Sequence, residues 1–128
     1  MTEKERRAQV ESYYGKLVKI AFDRPVGTQH EKRGNTWVYP INYGYIPNVF
    51  GGDGEELDVY LLGVYTPIND PCLVKIVGAV FRADDDEDKL LAVLPDAPVP
   101  SAADAAKGID FQEQYHTSHV ELWDGRSK

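Results

Sequence analysis

Residues 39–60 constrain this chain more than any other stretch. They run Tyr39-Pro40-Ile41-Asn42-Tyr43-Gly44-Tyr45-Ile46-Pro47 and then Gly51-Gly52-Asp53-Gly54-Glu55-Glu56-Leu57-Asp58-Val59-Tyr60. Asp53, Glu55 and Asp58 fall within six residues, and Gly52 and Gly54 loosen the backbone around them. Hard divalent cations take several oxygen ligands, and carboxylates gathered on a bend supply them. Leu57, Val59 and Leu61 alternate with Asp58, Tyr60 and Leu62. That period of two predicts a strand with Asp58 facing away from Leu57 and Val59. Asp-Gly is also a hairpin-turn dipeptide, and on spacing alone a solvated turn is the simpler reading. The regular odd-position ligands and distal Glu of a helix–loop–helix calcium site are missing, which sets that class aside.

Composition narrows the field. A chain of 128 residues suits one domain, taken as 1–128, around one core. Hydrophobic residues make up 42%, which favours a packed globule over disorder. The net charge of −7 argues against nucleic acid as a partner, because that role needs a basic surface. It suits a protein that gathers cations locally. The single Cys72 cannot form an internal disulfide, which is compatible with a reducing cytoplasm. Cys72 has no neighbouring base and reads as a core residue. The first residues lack an apolar secretory core, and no apolar run approaches membrane-spanning length. A cytoplasmic protein with no membrane partner is expected.

Taken in order, residues 2–13 predict a short helix, with Thr2 and Glu5 at capping-box spacing. Residues 16–22 predict a strand carrying Lys19, which reads as a cation for a site or as an ordinary edge-strand lysine. Residues 23–27 read as a turn and 28–35 as a polar, basic stretch. Residues 36–39 predict a second strand, and Pro40 and Pro47 confine the segment they bracket to an edge or a bulge. Residues 57–63 form the strand already described. Residues 72–82 predict a long strand bent at Gly78. Five acids then stand in a row, Asp84 to Asp88, between that strand and another at 90–94. A run of this kind is ordinarily a solvated hairpin tip. Ser101 and Asp104 open a short helix that Gly108 interrupts. Residues 109–118 resume as helix, with Phe111 and Tyr115 on one face. Glu11 and His119 read as surface residues.

The central stretch resembles the signature of the soluble inorganic pyrophosphatases of the single-domain β-barrel family. Tyr39, Pro40, Asn42, Tyr43, Gly44, Tyr45, Ile46, Asp53, Gly54, Asp58 and Val59 match it. Glu55 and Glu56 stand where the family has Asp and Pro. The likeness extends over about residues 15–116. It implies a mainly β (α+β) fold: an OB-like five-stranded β-barrel with a short N-terminal helix and a C-terminal helix. It also implies Mg²⁺, or Mn²⁺ or another divalent ion, as cofactor. The implied reaction hydrolyses pyrophosphate, a small-molecule substrate, to two phosphates, and a homo-oligomer is expected.

Carried over residue by residue, the resemblance puts Asp53, Asp58 and Asp84 on metal. The inner ligand of the acidic hairpin falls among Asp86, Glu87 and Asp88, with Glu87 the assignment adopted. Glu55 and Asp58 would activate the attacking water. Lys19, Arg33, Tyr43, Lys89, Tyr115 and His116 would bind phosphate. The chemistry fits such a list: metal ions neutralise the anion and acidify water, while Lys, Arg and Tyr hold oxygens. The chain departs from the family at Ala21, where a Glu is expected, at Glu55, and at His116, which replaces a Lys. Two further readings arise from those departures. One is a hydrolase of another phosphoanhydride, and the other is a catalytically impaired relative that binds phosphate or metal.

Overall fold

The computed structural model describes residues 1–125. Its first helix, α1 (Glu3–Glu11), starts where its caps dictate. The Thr2 hydroxyl accepts from the Glu5 amide at 3.1 Å, and the Glu5 carboxylate accepts from the Thr2 amide at 2.9 Å. This satisfies two helix-end donors reciprocally. The next strands are β1 (Leu17–Arg24), β2 (Gln29–Lys32), β3 (Asn35–Val38), β4 (Asn42–Phe50), β5 (Glu56–Leu61), β6 (Cys72–Arg82) and β7 (Lys89–Val93). Helix α2 (Ala102–Glu113) and strand β8 (Ser118–Leu122) come last.

Five strands close on themselves in the order β1-β4-β5-β7-β6, and β6 returns to pair with β1. The β5–β7 pair is parallel and the other pairings are antiparallel. Strand β6 can reach three neighbours because it is long and bent. Its first part pairs with β1, its register shifts between Ile76 and Gly78, and its second part carries β8. Gly78 permits the bend: a Cβ there would stand 2.5 Å from the Glu121 carbonyl oxygen.

The alternation along each strand sorts residues onto two faces. Ile20, Ile46, Val59, Leu61, Ile76 and Leu90 belong to a cluster drawn from all five barrel strands, which places it in the interior. Tyr43, Tyr60, Leu91 and Val93 belong to a second cluster with Ala105 and Ile109 of α2. That outer face, covered by α2, is the one onto which Asp58 projects.

The expected five-stranded OB-like barrel with a helix near each end is what the structure contains. Three details stand out. Residues 28–35, read only as polar and basic, mostly form the β2–β3 hairpin, closed by Arg33 and Gly34 at φ 52° and 81°. Paired positive φ values are the hallmark of a two-residue hairpin turn, but the strands are polar and carry no apolar alternation to announce them. Of the edge or bulge expected around the prolines, the bulge is realised: β4 is central, and Pro47 sits where the β4–β5 register shifts between Tyr45 and Phe50. Helix α2 runs through Gly108 and stops at Glu113, short of the expected end at Ser118, and residues 118–122, of which only Ser118 is expected as helix, form strand β8. Glycine costs a helix interior about 1 kcal/mol, and burial of Ala105 and Ile109 on either side outweighs that.

Gly44 is where two strands come closest. A Cβ on it would fall 2.0 Å from the Ala21 carbonyl oxygen of β1, a backbone atom with nowhere to move. Gly44→Ala should therefore cost about 3 kcal/mol, read as a lowered midpoint in thermal or urea unfolding; an unchanged midpoint would contradict the close approach. A second expectation concerns the tie between α1 and β8. Arg7 donates to both Glu121 carboxylate oxygens at 2.9 Å. These bonds, with smaller contributions from His119, bring the Glu121 carboxyl from its ordinary 4.5 down to about 2. Between those values the unfolded chain binds more protons, so stability falls as pH falls through the window. The pair is largely exposed, so its share is about 1 kcal/mol or less. Melts from pH 6 to pH 2 should show wild type and Glu121→Gln differing at the top and converging at the bottom.

Candidate active site

Three neighbouring strands bring their side chains together on the outer barrel face. Tyr43 of β4 lies opposite Tyr60 of β5, Asp58 lies two residues earlier on β5, and Lys89 opens β7. The Tyr43 hydroxyl donates to Asp58 Oδ2 at 2.7 Å and accepts from Lys89 Nζ at 2.5 Å. Lys89 also donates to Asp58 Oδ2 at 3.0 Å and to Glu87. Lys89 is only 1% exposed. Burial pulls its pKa down, but Tyr43, Asp58 and Glu87 more than reverse this, so the ammonium stays charged. Burial pushes the Asp58 carboxyl up against the opposing pull of Lys89. Glu87 goes the other way: burial raises it, but Lys89, a hydrogen bond shared with Asp58, and Arg82 bring it down to about 2.

A second buried cation lies behind the first. Arg82, 4% exposed, donates through Nε and Nη2 to Glu113 at 3.0 and 2.7 Å. Its Nη1 reaches Glu87 at 3.3 Å and Asp85 at 3.4 Å. The Tyr60 hydroxyl donates to Glu113 at 2.6 Å. Since Glu113 is the last residue of α2, this network fixes where Tyr115 and His116 emerge. On the other side, Arg24 donates to the Tyr39 hydroxyl at 2.7 Å, and that hydroxyl donates to Gln112 at 2.8 Å. The Arg24 guanidinium lies 5.6 and 5.7 Å from the ring centres of Tyr39 and Tyr43, within cation–π range.

Of these groups, Arg24, Tyr43, Asp58, Arg82, Glu87, Lys89 and Gln112 line a cavity of about 430 Å³. Its carboxylates are Asp23, Glu31, Asp58 and Glu87. Its cations are Arg24, Lys32, Arg33, Arg82 and Lys89, joined by His30 and His116. The β2–β3 hairpin supplies one wall. Trp37 on that hairpin stacks on Tyr115 with ring centres 5.2 Å apart and planes at 25°.

Of the residues singled out from sequence, Arg33, Tyr43, Asp58, Glu87, Lys89, Tyr115 and His116 line this cavity. Lys19, Asp53, Glu55 and Asp84 do not. Lys19 is exposed on β1, opposite Leu73 of β6. Asp53 and Glu55 are exposed on the loop between β4 and β5, where Asp53 accepts from the Glu55 amide at 3.0 Å. Asp84 pairs with His116 Nδ1 at 3.1 Å. With Asp85 these two present ligand atoms within 4.8 Å of one another. Sequence reading missed Arg24, Tyr60, Arg82 and Glu113. Arg82 directly precedes the acidic run and Glu113 sits inside the Phe111–His116 element, so both had signals nearby. Arg24 was concealed in a segment whose composition reads as a turn, although β1 extends through it.

Comparison with known proteins agrees with this geometry. The family model for inorganic pyrophosphatase matches residues 8–123. An inorganic pyrophosphatase of Campylobacter jejuni is 30% identical over 106 residues, covering 78% of this chain and 60% of the relative. A soluble inorganic pyrophosphatase of Chlamydomonas reinhardtii is 36% identical over 90 residues, covering 66% and 46%. The chain thus spans about half to three-fifths of the length of these curated relatives. The solved structure of inorganic pyrophosphatase from Ehrlichia chaffeensis shares the fold with a TM-score of 0.64 at 17% identity, covering 85% of this chain and 87% of that one. A barrel of this topology, a polar cluster on its outer face and a match across most of its length place the chain in the inorganic pyrophosphatase family.

Proposed function

We propose that this protein hydrolyses inorganic pyrophosphate to two phosphates with the help of a divalent cation, taken to be Mg²⁺. The observation that carries the reading is the hydrogen-bonded cluster of Tyr43, Asp58, Glu87 and Lys89 in a cavity rimmed by arginines. A small, highly charged anion offers an enzyme only its oxygens, and this cavity meets them with fixed cations and a hydroxyl. Carboxylate oxygens dominate the available donors, which suits a hard cation. Asp58 and Glu87 would hold it, with Asp84, Asp85 and His116 as a neighbouring set. When bound, the cation supplies charge neutralisation and a more acidic water.

The chain's own residues do the rest. Arg24, Arg33 and Lys89 neutralise phosphate oxygens, and the Tyr43 hydroxyl orients the phosphoryl group under attack. Water adds to one phosphorus, the bridging P–O bond breaks, and the other phosphate leaves. Asp58 takes the proton of the attacking water. This assignment gives the base to Asp58 rather than Glu55. Asp53, Glu55 and Lys19 stay as roles suggested by resemblance, without support from their placement. A single domain over 1–128, homo-oligomeric and cytoplasmic, completes the reading; the family match across 8–123 supports the single domain. The Trp37–Tyr115 stack favours one variant, a phosphoanhydride that carries a planar group, and a panel of nucleoside diphosphates compared with pyrophosphate tests that.

The purified chain should release phosphate from pyrophosphate in Mg²⁺, and Asp58→Asn should lower kcat by about a hundredfold or more. Absence of turnover in Mg²⁺, Mn²⁺ and Zn²⁺ by folded protein would end the proposal. Arg33 gives a sharper test. It holds a left-handed φ of 52° that its side chain disfavours. Such strain is retained where the side chain is used. Arg33→Asn creates the Asn-Gly pair that such turns prefer, so stability should rise by about 0.5–1 kcal/mol while KM for pyrophosphate increases. A fall in stability, or an unchanged KM, would count against a phosphate role for Arg33.

A further inference from the structure

We infer that Arg6 of α1 is a positioning residue for the acidic hairpin at 83–88: from outside the barrel it fixes the turn so that Glu87 faces inward. Arg6 does not line the outer-face cavity. Its consequence for catalysis rests on reading that cavity as the pyrophosphate site.

The first observation is where Arg6 goes. It belongs to a helix with one fully buried residue, yet its own side chain is only 11% exposed. Its Nη1 donates to Asp86 Oδ1 at 2.8 Å and to the Asp85 carbonyl at 3.3 Å. Its Nε is buried without a hydrogen-bond partner, 3.7 Å from Asp88 Oδ2. The Asp88 side chain is 4% exposed, and its Oδ1 accepts from the Arg82 amide at 3.2 Å. A buried carboxylate without a cation beside it is costly. Among the described residues, Arg6 is the one cation within ion-pair distance of Asp88. A run of five acids that would otherwise spread apart is held by it at three successive points.

The second observation is Gly52. Its φ is not positive, so its backbone does not ask for glycine. A Cβ there would stand 2.3 Å from Arg6 Cδ, 2.8 Å from Arg6 Cγ and 3.0 Å from the Asp86 carbonyl oxygen. The missing side chain is the passage through which Arg6 reaches the hairpin. Gly52 on the β4–β5 loop and Arg6 on α1 thus form one device.

The third observation is that α1 has other anchors. Val10 is buried in the barrel's interior cluster, Arg7 holds both Glu121 oxygens at 2.9 Å, and Gln9 donates to the Phe50 carbonyl at 2.7 Å. Loss of Arg6 therefore frees the hairpin and leaves the helix docked. Glu87 then shifts with the freed turn, and small displacements beside reacting atoms are expensive.

Hydrogen exchange of the full chain in EDTA, followed by NMR, tests the contact without metal. In Arg6→Ala the Glu87 amide, which donates to Asp85 Oδ1 at 2.8 Å, and the Arg82 amide should exchange severalfold faster, while β5 amides should not. In Mg²⁺, Arg6→Ala should lower kcat by about tenfold and raise the half-activating Mg²⁺ concentration severalfold, with KM for pyrophosphate near wild type. Arg6→Lys should recover part of the loss. Arg7→Ala should lower the thermal midpoint yet leave kcat near wild type. Gly52→Ala should imitate Arg6→Ala, and the double variant should be no worse than Arg6→Ala alone. If the two losses multiply, Gly52 does not act through Arg6 and the device is wrong. If wild type hydrolyses pyrophosphate while Arg6→Ala keeps its kcat, Mg²⁺ dependence and slow exchange, the inference falls and the proposed activity stands. If no variant hydrolyses but Arg6→Ala still frees the hairpin, the activity falls and the positioning by Arg6 stands.

Discussion

A fully buried lysine ammonium is the constraint on which the site is built. Lys89 sits at the start of β7, beneath the cavity floor, where water cannot solvate it. An unpaired ammonium in that position would unfold its surroundings or lose its proton. Three groups from three segments prevent this: the Tyr43 hydroxyl from β4, the Asp58 carboxylate from β5 and Glu87 from the hairpin before β7. The barrel makes the arrangement possible, because β4, β5 and β7 are adjacent and β5–β7 runs parallel. A one-residue slip in either pairing would turn Asp58 inward among Val59 and Leu61. The polar cluster and the register of the sheet therefore specify each other.

The same logic extends outward through Arg82. Its guanidinium spans the gap between the acidic hairpin and the end of α2, binding Glu87 on one side and Glu113 on the other. Glu113 in turn accepts from Tyr60, a buried residue of β5. Tyr115 and His116, which follow Glu113 and line the cavity, are thus tied to the barrel wall by charge-assisted bonds rather than by apolar contact alone. Such bonds have strict geometry, which is what a site that must place phosphoryl groups requires.

How much of this was legible in the chain differs from residue to residue. The alternation in residues 57–62 gave β5 and the direction of Asp58, because a strand with one buried face writes its period into the sequence. The motif residues Asn42 and Gly44 were visible as matches, but their work was not. Buried Asn42 accepts from the Val26 amide at 3.0 Å and the Ile68 amide at 2.9 Å and donates to the Thr66 carbonyl at 3.0 Å, stitching two loops to the barrel. Sequence alone cannot show this, since the partners are backbone groups of ordinary loop segments. Strand β3 was read at residues 36–39, but β2 and its pairing with β3 were missed because β2 is polar and short. Strand β8 was missed because residues 118–122 are only partly buried and extend an edge, so no two-residue alternation marks them. Arg24, Arg82 and Glu113 act through tertiary pairing, which has no local period at all.

The acidic motif also divides in a way its spacing did not announce. Asp58 is carried by β5 into the cavity, whereas Asp53 and Glu55 remain on the loop. The cause lies in α1. Arg6 donates to Asp86 at 2.8 Å and to the Asp85 carbonyl at 3.3 Å, and its side chain lies against Gly52. Gln9 donates to the Phe50 carbonyl at 2.7 Å. The helix therefore brackets the β4–β5 loop and the acidic hairpin together, in spite of the negative charge both carry. Its cation stands between carboxylates that would otherwise repel. Arg6 outside and Arg82 inside hold the hairpin from opposite sides, so Glu87 points inward while Asp86 stays at the surface. Arg82 reaches both Asp85 and Glu87, and Lys89 pairs with Glu87 alone of the run, so the inner acid is selected by its tertiary partners and not by its position in the sequence.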